Sequence, residues 1–187
     1  SLAEQHLKQI AEVVNDTPVI LGTVRQEESK LYNTAAVLQN GAVSAFRDKT
    51  LLPTYDVFDE DRYFSPTEVI IPVTLTINGK EVKIGLQICE DLWDADYPTK
   101  VSDILCQNGT DILINISASP FHINRIDKRL ALVKNKAKQL KQYFIYCNLV
   151  GAQDELVFDG QSFALNPGGH IIALGKAFSE DIIAIDL

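Results

Sequence analysis

Apolar residues recur at helical spacing at the start of the chain and at strand spacing soon after it. One face of a predicted amphipathic helix carries Leu2, Leu7, Ile10, Ala11 and Val14. The polar and proline-containing residues 15–18 end this helix, and residues 19–23 form an apolar run typical of a buried strand. The chain therefore opens with a helix followed by a strand.

Two Asn-Gly pairs predict β-hairpins, because both residues readily adopt the positive φ angles of a two-residue turn. The pairs are Asn40-Gly41 and Asn78-Gly79. The strands that they join are predicted at residues 32–38, 42–46, 69–77 and 81–89. Between the hairpins lies a long loop, residues 48–66, which contains too many aromatic side chains to be disordered.

Helices and strands alternate in the second half of the chain. Helices are predicted at residues 97–107 and over a long segment ending near Gln142. Strands are predicted at residues 111–116, 144–150, 162–165 and 171–174, and an apolar segment at 182–187 closes the chain. This alternation, with hairpins inserted, predicts one compact α/β domain with a mixed sheet.

Charge and composition narrow the classes of partner. The chain has 187 residues, 46% of them hydrophobic, and a formal net charge of -8. Such a negative field disfavours nucleic acid and anionic membranes as partners, and no apolar run is long enough to span a membrane. The three cysteines include no C-x-x-C pair, which favours free thiols in a reducing cytoplasm, with Cys106 and Cys147 buried.

Cys89 is the candidate nucleophile, because it ends an apolar strand and is followed at once by the acidic residues Glu90 and Asp91. A strand that ends at a sharp turn exposes the side chain and points the following backbone N–H groups toward one spot, as an oxyanion hole requires. A buried thiol that merely ends a strand fits this segment equally well.

A thiol nucleophile needs an activating group, and the sequence offers two kinds. His6 and His170 lie on predicted surface elements, so His122 is the histidine candidate, beside a loop at a strand end. Lys49 is the alternative, since a lysine at a strand end could hold the thiolate as an ion pair and stabilise an oxyanion. A solvated loop lysine is the competing interpretation.

Four segments carry a specific resemblance. Residues 49–64 read KTLLPTYDVFDEDRYF, 85–93 read GLQICEDLW, 115–121 read NISASPF and 148–160 read NLVGAQDELVFDG. Together they resemble the nitrilase (carbon–nitrogen hydrolase) superfamily, and within it the glutaminase domain of glutamine-dependent NAD⁺ synthetases. The resemblance implies an α-β-β-α four-layer sandwich and hydrolysis of glutamine through a cysteine thioester.

The resemblance also implies residue roles. Cys89 matches the nucleophile, Lys49 the catalytic lysine and the Glu90 backbone N–H an oxyanion donor, whereas Glu60 resembles an accessory glutamate. The positions that would hold glutamine are Tyr55, Ser119 and Arg125. The rest of the basic helix face is expected to be solvated or to contact another subunit: Lys128, Arg129, Lys134, Lys136, Lys138 and Lys141.

Two motifs of the synthetases do not occur in the 187 residues. One is the Phe-Pro-Glu motif that carries the catalytic glutamate, and the other is the Ser-Gly-Gly-x-Asp-Ser pyrophosphatase loop. We therefore expect residues 1–187 to form one partial glutaminase domain that lacks its first strands and first helix, with its general base upstream of Ser1. ATP and Mg²⁺ would serve an absent synthetase domain of the same chain, and this domain needs no cofactor and no metal.

The function implied is release of ammonia from L-glutamine for ATP-dependent synthesis of NAD⁺ from deamido-NAD⁺, in a homo-oligomeric cytoplasmic enzyme. With its base outside these residues, the chain alone is expected to be inactive. Two alternatives remain open. A stand-alone amidase of the same superfamily, such as an ω-amidase or an N-carbamoyl hydrolase, would share Lys49 and Cys89. A non-catalytic scaffold on the same fold would need neither residue.

Overall fold

A computed structural model describes all residues, 1–187. It begins with helix α1 (Leu2–Glu12), as the apolar spacing predicts. Ser1 caps this helix, since its hydroxyl accepts the N–H of Glu4 while the Glu4 carboxylate binds the terminal amine. Two apolar side chains of α1, Leu7 and Ala11, are buried, and they pack against the first sheet.

The first sheet has three antiparallel strands in the order β1-β2-β3. They are β1 (Val19–Glu27), β2 (Lys30–Gln39) and β3 (Ala42–Asp48). The predicted turn at Asn40-Gly41 is confirmed, and both of its residues have positive φ angles. The turn between β1 and β2 was not predicted from sequence, because Glu28 adopts a φ of 53° without an Asn-Gly pair.

The remaining strands form a six-stranded sheet and a small hairpin. In chain order they are β4 (Val73–Ile77), β5 (Lys80–Ile88), β6 (Ile112–Ser117), β7 (Tyr143–Asn148), β8 (Val150–Gln153), β9 (Leu156–Asp159), β10 (Phe163–Leu165) and β11 (Ile171–Leu174). The large sheet has the order β11-β10-β7-β6-β5-β4, whereas β8 pairs only with β9. Parallel pairs join β5, β6 and β7, and the other pairs are antiparallel, so the sheet is mixed as predicted.

Two further helices, α2 (Val101–Gln107) and α3 (Arg125–Leu140), complete the fold. Leu105 of α2 and Val133 of α3 share one apolar cluster with Phe144 of β7, so both helices cover one face of the large sheet. A second cluster, which includes Val37 of β2 and Leu86 of β5, fills the space between the two sheets. The layers are therefore helix, sheet, sheet and helix, as the resemblance implied.

Several sequence predictions were wrong in detail. The helix predicted at residues 97–107 begins only at Val101, because Pro98 keeps Tyr97 extended. The strand predicted at 69–77 begins at Val73, directly after Pro72, which has no N–H to donate to a neighbouring strand. Residues 182–187 contain no regular element, and the β8–β9 hairpin was missed.

The two non-nucleophilic cysteines were predicted to be buried, and neither is. Cys147 lies on the exposed side of β7, and Cys106 is half-buried in α2. All three cysteines are free thiols. None of the three helices combines the length and the apolar character that crossing a bilayer requires.

Candidate active site

Cys89 occupies the sharp turn that follows β5. Its backbone φ is 45°, in the left-handed region that side chains other than glycine rarely adopt. The residue begins a 3-10 turn, Cys89–Leu92, and its carbonyl accepts a hydrogen bond of 3.3 Å from the side-chain amide of Asn115 on β6. A strained backbone conformation persists only where surrounding contacts hold it, and such conformations are concentrated at functional sites.

Lys49 lies where β3 ends and is buried, with 1% of its side chain exposed. Its Nζ donates to Oε1 of Glu60 at 2.6 Å, and Asn33 on β2 donates to the other oxygen of the same carboxylate at 3.3 Å. This burial excludes the interpretation of Lys49 as a solvated loop lysine. A buried ammonium paired with a carboxylate can instead place positive charge beside a reacting group.

One cleft of about 670 Å³ contains Cys89, Lys49 and Glu60. Both sheets contribute to its walls, the small one through Ile20–Gly22 of β1 and the large one through Ile116 and Ser117 of β6. The two residues proposed as nucleophile and lysine come from strand ends in different sheets. The sandwich therefore brings together groups that lie forty residues apart in sequence.

Electrostatics in the cleft decide the resting state of the thiol. Burial raises the pKa of Cys89 above its ordinary value, the charge of Lys49 acts in the opposite direction, and the carboxylates of Glu60 and Glu90 raise the pKa further. The net effect raises the pKa of Cys89 and favours the thiol over the thiolate. Attack on an amide consequently requires a base that takes the thiol proton.

Glu90 follows Cys89 directly and is buried. Its carboxylate accepts hydrogen bonds from the hydroxyls of Tyr55, at 2.8 and 3.0 Å, and of Tyr97, at 3.1 Å. Burial raises the pKa of Glu90, and the two tyrosines partly offset that effect. Burial and the Glu90 carboxylate raise the pKa of Tyr97 to about 12, and the same two causes raise the pKa of Tyr55.

Ser119 and Arg125, predicted as substrate contacts, do not line the cleft, and neither does Tyr55. Ser119 is buried, and its backbone N–H donates to Oδ1 of Asn148 at 3.0 Å. The Arg125 guanidinium lies 4.4 Å above the ring of Trp93, and its Nε has no hydrogen-bond partner in the protein. The structure thus brings Cys89, Lys49 and Glu60 together in the cleft, whereas Tyr55, Ser119 and Arg125 are not among the residues of its walls.

The predicted solvated basic face of α3 was wrong for two of its residues. Arg129 is fully buried and binds both oxygens of Asp159 through Nη1, at 2.8 and 2.9 Å. Its Nη2 donates to the Ser119 carbonyl at 2.8 Å. Lys136 is also buried and binds both oxygens of Asp94, at 2.8 and 2.9 Å. The other lysines of that face are exposed: Lys128, Lys134, Lys138 and Lys141.

The histidine alternative receives no support from the structure. His122 is exposed and does not line the cleft, and His6 and His170 are exposed elsewhere. Sequence reasoning also missed polar residues that hold the site, namely Asn33, Asn115, Asn148 and Asp159. Asn115, Asn148 and Asp159 lie inside motifs that the sequence analysis noticed, so those motifs were the available signal, whereas Asn33 had none.

An α-β-β-α sandwich that places a cysteine and a buried lysine–glutamate pair in one cleft defines a class of hydrolase. The family model described as Carbon-nitrogen hydrolase matches residues 3–187, and the chain belongs to this family.

Individual members of the family give more specific similarities. The chain is 41% identical over 160 residues to the glutamine-dependent NAD(+) synthetase of Aquifex aeolicus, a match that covers 86% of the chain and 27% of that protein. It is 39% identical over 197 residues to the enzyme of the same name from Synechocystis sp., covering 96% of the chain and 34% of the relative. The chain thus spans about a third of the length of these curated relatives.

Solved structures of similar fold include proteins of both kinds. The glutamine-dependent NAD+ synthetase of Acinetobacter baumannii, in complex with ADP, superposes with a TM-score of 0.84 at 35% identity, covering 95% of this chain and 32% of that one. A carbon-nitrogen hydrolase from Helicobacter pylori superposes with a TM-score of 0.80 at 21% identity, covering 95% of this chain and 64% of that one. The second likeness establishes the fold alone.

Proposed function

We propose that this chain carries the nucleophile and the lysine of a glutaminase site, which hydrolyses the side-chain amide of L-glutamine. The observation that carries the proposal is the shared cleft, in which the positive charge of Lys49 acts on the Cys89 thiol. Similarity to glutamine-dependent NAD(+) synthetases supports glutamine as the substrate. A scaffold would have no need of a buried ammonium beside a strained cysteine.

The reaction would proceed in two halves. The Cys89 sulfur attacks the carboxamide carbon while a base takes the thiol proton, and the resulting oxyanion is stabilised by Lys49 and the backbone N–H of Glu90. Collapse of this intermediate breaks the carbon–nitrogen bond, and ammonia leaves with the proton returned by the base. Water then attacks the thioester, which releases glutamate and regenerates the thiol.

Glu60 is poorly placed to be that base, because its carboxylate already accepts the Lys49 ammonium at 2.6 Å. We propose that the base is a glutamate outside these residues, and that Glu60 keeps Lys49 charged and oriented. The free edge of β1 supports this assignment, since β1 pairs only with β2 and its residues Ile20–Gly22 line the cleft. A further strand on that edge would lie next to residues that line the cleft, where a carboxylate could reach the Cys89 thiol.

The remaining parts of the function concern the whole protein. We propose that residues 1–187 are part of a glutaminase domain whose ammonia passes to a synthetase domain of the same chain, for ATP- and Mg²⁺-dependent synthesis of NAD⁺ from deamido-NAD⁺. The names of the relatives support this assignment. A cytoplasmic, homo-oligomeric enzyme is part of the same proposal.

Covalent labelling in the full-length protein tests the proposal. Diazo-oxo-norleucine, a glutamine analogue with an electrophilic carbon, is expected to add its mass to the peptide that contains Cys89. Cys147 provides the matched control, since this residue also lines the cleft and is more exposed than Cys89, and yet it should remain unlabelled. Labelling of Cys147 or Cys106 in place of Cys89 would contradict the assignment.

Turnover by the 187-residue chain alone tests the location of the base. With the base outside these residues, the chain should release ammonia from glutamine at a rate far below that of the full-length protein. The measurement is a coupled ammonia assay, with the Cys89→Ala variant as the blank. Equal rates for the chain and the full-length protein would place the base within these residues, with Glu60 as the first candidate.

A further inference from the structure

Asp91 is a buried carboxylate that the glutaminase chemistry does not use. It is fully buried and accepts three backbone hydrogen bonds. Its Oδ1 accepts the N–H of Thr50 at 3.0 Å and that of Leu51 at 2.9 Å, and its Oδ2 accepts the N–H of Ile88 at 3.1 Å. One side chain therefore binds the residues after Lys49 and the residue before Cys89.

The second group at this point is Arg47, which is buried with 3% exposure. Its guanidinium donates to the carbonyl of Asp48 and to the hydroxyl of Thr50, the latter at 2.8 Å. Burial raises the pKa of the Asp91 carboxyl, and the positive charges of Arg47 and Lys49 act in the opposite direction. Two buried polar side chains, Arg47 and Asp91, thus hold the backbone on both sides of Lys49.

These contacts matter because the nucleophile and the lysine lie at the ends of strands in different sheets. The two sheets meet through apolar side chains, such as Val37 against Leu86, and apolar contacts have little directional preference. Hydrogen bonds to a carboxylate do have preferred distances and angles. The three bonds to Asp91 supply a directional link between the sheets at the cleft.

We infer that Asp91 is a positioning residue, which fixes the Lys49 ammonium relative to the Cys89 thiol by binding the backbone on both sides. The inference rests on the proposed function in one respect, namely that Lys49 favours the thiolate of Cys89. An aspartate suits this position because all three partners are donors, and asparagine would present its own NH₂ group to at least one of them.

The test is the pH dependence of Cys89 alkylation by iodoacetamide in the full-length protein, followed by mass spectrometry. For Asp91→Asn, the midpoint of the profile should rise by roughly half a unit, which corresponds to about a threefold slower reaction near neutral pH. Lys49→Met should slow it further, on the order of tenfold.

A double variant separates positioning from general loosening of the fold. In the Lys49→Met background, Asp91→Asn should produce no additional rise of the midpoint, because the charge that it positions is gone. An equal rise with and without Lys49, or no rise in the single variant, would overturn the inference. If Asp91→Asn does not fold, Asp91→Glu replaces it, with the same expected rise and the same contradicting results.

Asp111→Asn is the matched control, since Asp111 also accepts a backbone N–H through Oδ2, from Lys83 at 2.8 Å, away from the cleft. Its alkylation profile should equal that of the unmodified protein. A failure of the proposed function would look different, because diazo-oxo-norleucine would then not label Cys89 while the alkylation midpoints still followed Asp91 and Lys49.

Discussion

The backbone of Cys89 combines a left-handed conformation with a side chain that has a Cβ. At a φ of 45° this combination costs roughly 1–2 kcal/mol relative to an ordinary conformation. The hydrogen bonds from Asn115 to the Cys89 carbonyl and from Ile88 to Asp91 hold the turn against that cost. The nucleophile is therefore kept in a conformation that it would leave if these contacts were lost.

Glycine has no Cβ and adopts this conformation without strain. The order of stability of the glycine and alanine variants at Cys89 should therefore differ from the order at an ordinary helical position. Cys89→Gly should be at least as stable as Cys89→Ala, by up to about 1 kcal/mol, measured as free energy of unfolding in urea. Cys106 in α2 is the matched control, because at this helical position the alanine variant should be more stable than the glycine variant by about 1 kcal/mol in free energy of unfolding. The same order at both positions would show that Cys89 is unstrained.

Glu90 should make stability depend on pH in a defined direction. Burial raises its pKa in the folded state above 4.5, so the folded protein retains a proton that the unfolded chain has already released. The contribution of this group to stability is therefore present at pH below 4.5 and is lost as the pH rises through the folded-state pKa. Tyr55 and Tyr97 reduce the loss by binding the carboxylate.

Replacement of Glu90 by glutamine removes this titration. Relative to the unmodified protein, Glu90→Gln should gain stability between pH 4.5 and neutral pH, with little difference at lower pH. Melting temperatures across that range provide the measurement, and Glu155→Gln at an exposed position is the control. A constant difference at every pH would contradict the assignment of the effect to Glu90.

At the scale of elements, two buried cations bind α3 to neighbouring segments of the fold. Arg129 near its start binds Asp159 at the end of β9 and the carbonyl of Ser119, and Lys136 near its end binds Asp94. Both pairs are buried, the Arg129–Asp159 pair almost completely. Loss of one partner would leave the other charge buried and uncompensated.

Asp159→Asn should therefore destabilise the protein by about 3–5 kcal/mol, whereas Arg129→Met with Asp159→Leu should recover part of that loss. Urea unfolding followed by circular dichroism measures both variants. The exposed pair of Arg62 and Asp59 is the control, and Arg62→Ala should change stability very little. An equally small effect for Asp159→Asn would mean that the buried pair contributes nothing.

The elements differ in how far the sequence predicts them. Both Asn-Gly hairpins were predicted because their signal lies within two residues. The burial of Arg129 and Lys136 was missed because their partners lie 30 and 42 residues away. A cation on an amphipathic helix looks solvated until the tertiary fold supplies its carboxylate.

The site likewise contains residues that the sequence predicted and contacts that it could not predict. The motifs indicated Cys89, Lys49 and Glu60, and the structure places them in one cleft, although their chemical roles stay predictions. The link through Asp91 could not be predicted, because it depends on how two sheets pack. The motifs could indicate candidate chemical residues, whereas residues that would position them, such as Asp91, become visible only in the packed fold.

At the scale of the molecule, the small sheet has a free edge at β1, which pairs only with β2. Unpaired strand edges promote association with other chains unless something covers them. Val24 on this strand is 41% exposed. The free edge and its apolar side chain predict that the 187-residue chain associates with itself when no other strand covers β1.

A charge on this strand should reduce that association. Val24→Lys is expected to lower the apparent mass measured by light scattering at high protein concentration. Val13→Lys is the matched control, since Val13 is 77% exposed at the end of α1 and lies outside any strand. Equal reductions by both variants would mean that added charge, and not the strand edge, governs association.

The location of Cys89 and Lys49 at the ends of strands in different sheets has a consequence for how activity can vary. Besides the link through Asp91, the distance between them depends on the thickness of the layer that separates the sheets, where Ala35, Val37 and Leu86 share one apolar cluster. A methyl group added at Ala35 would push the sheets apart and alter turnover without touching any group in the cleft. Substitutions that change side-chain volume in this interior layer should therefore change the turnover rate, although none of these side chains contacts the substrate.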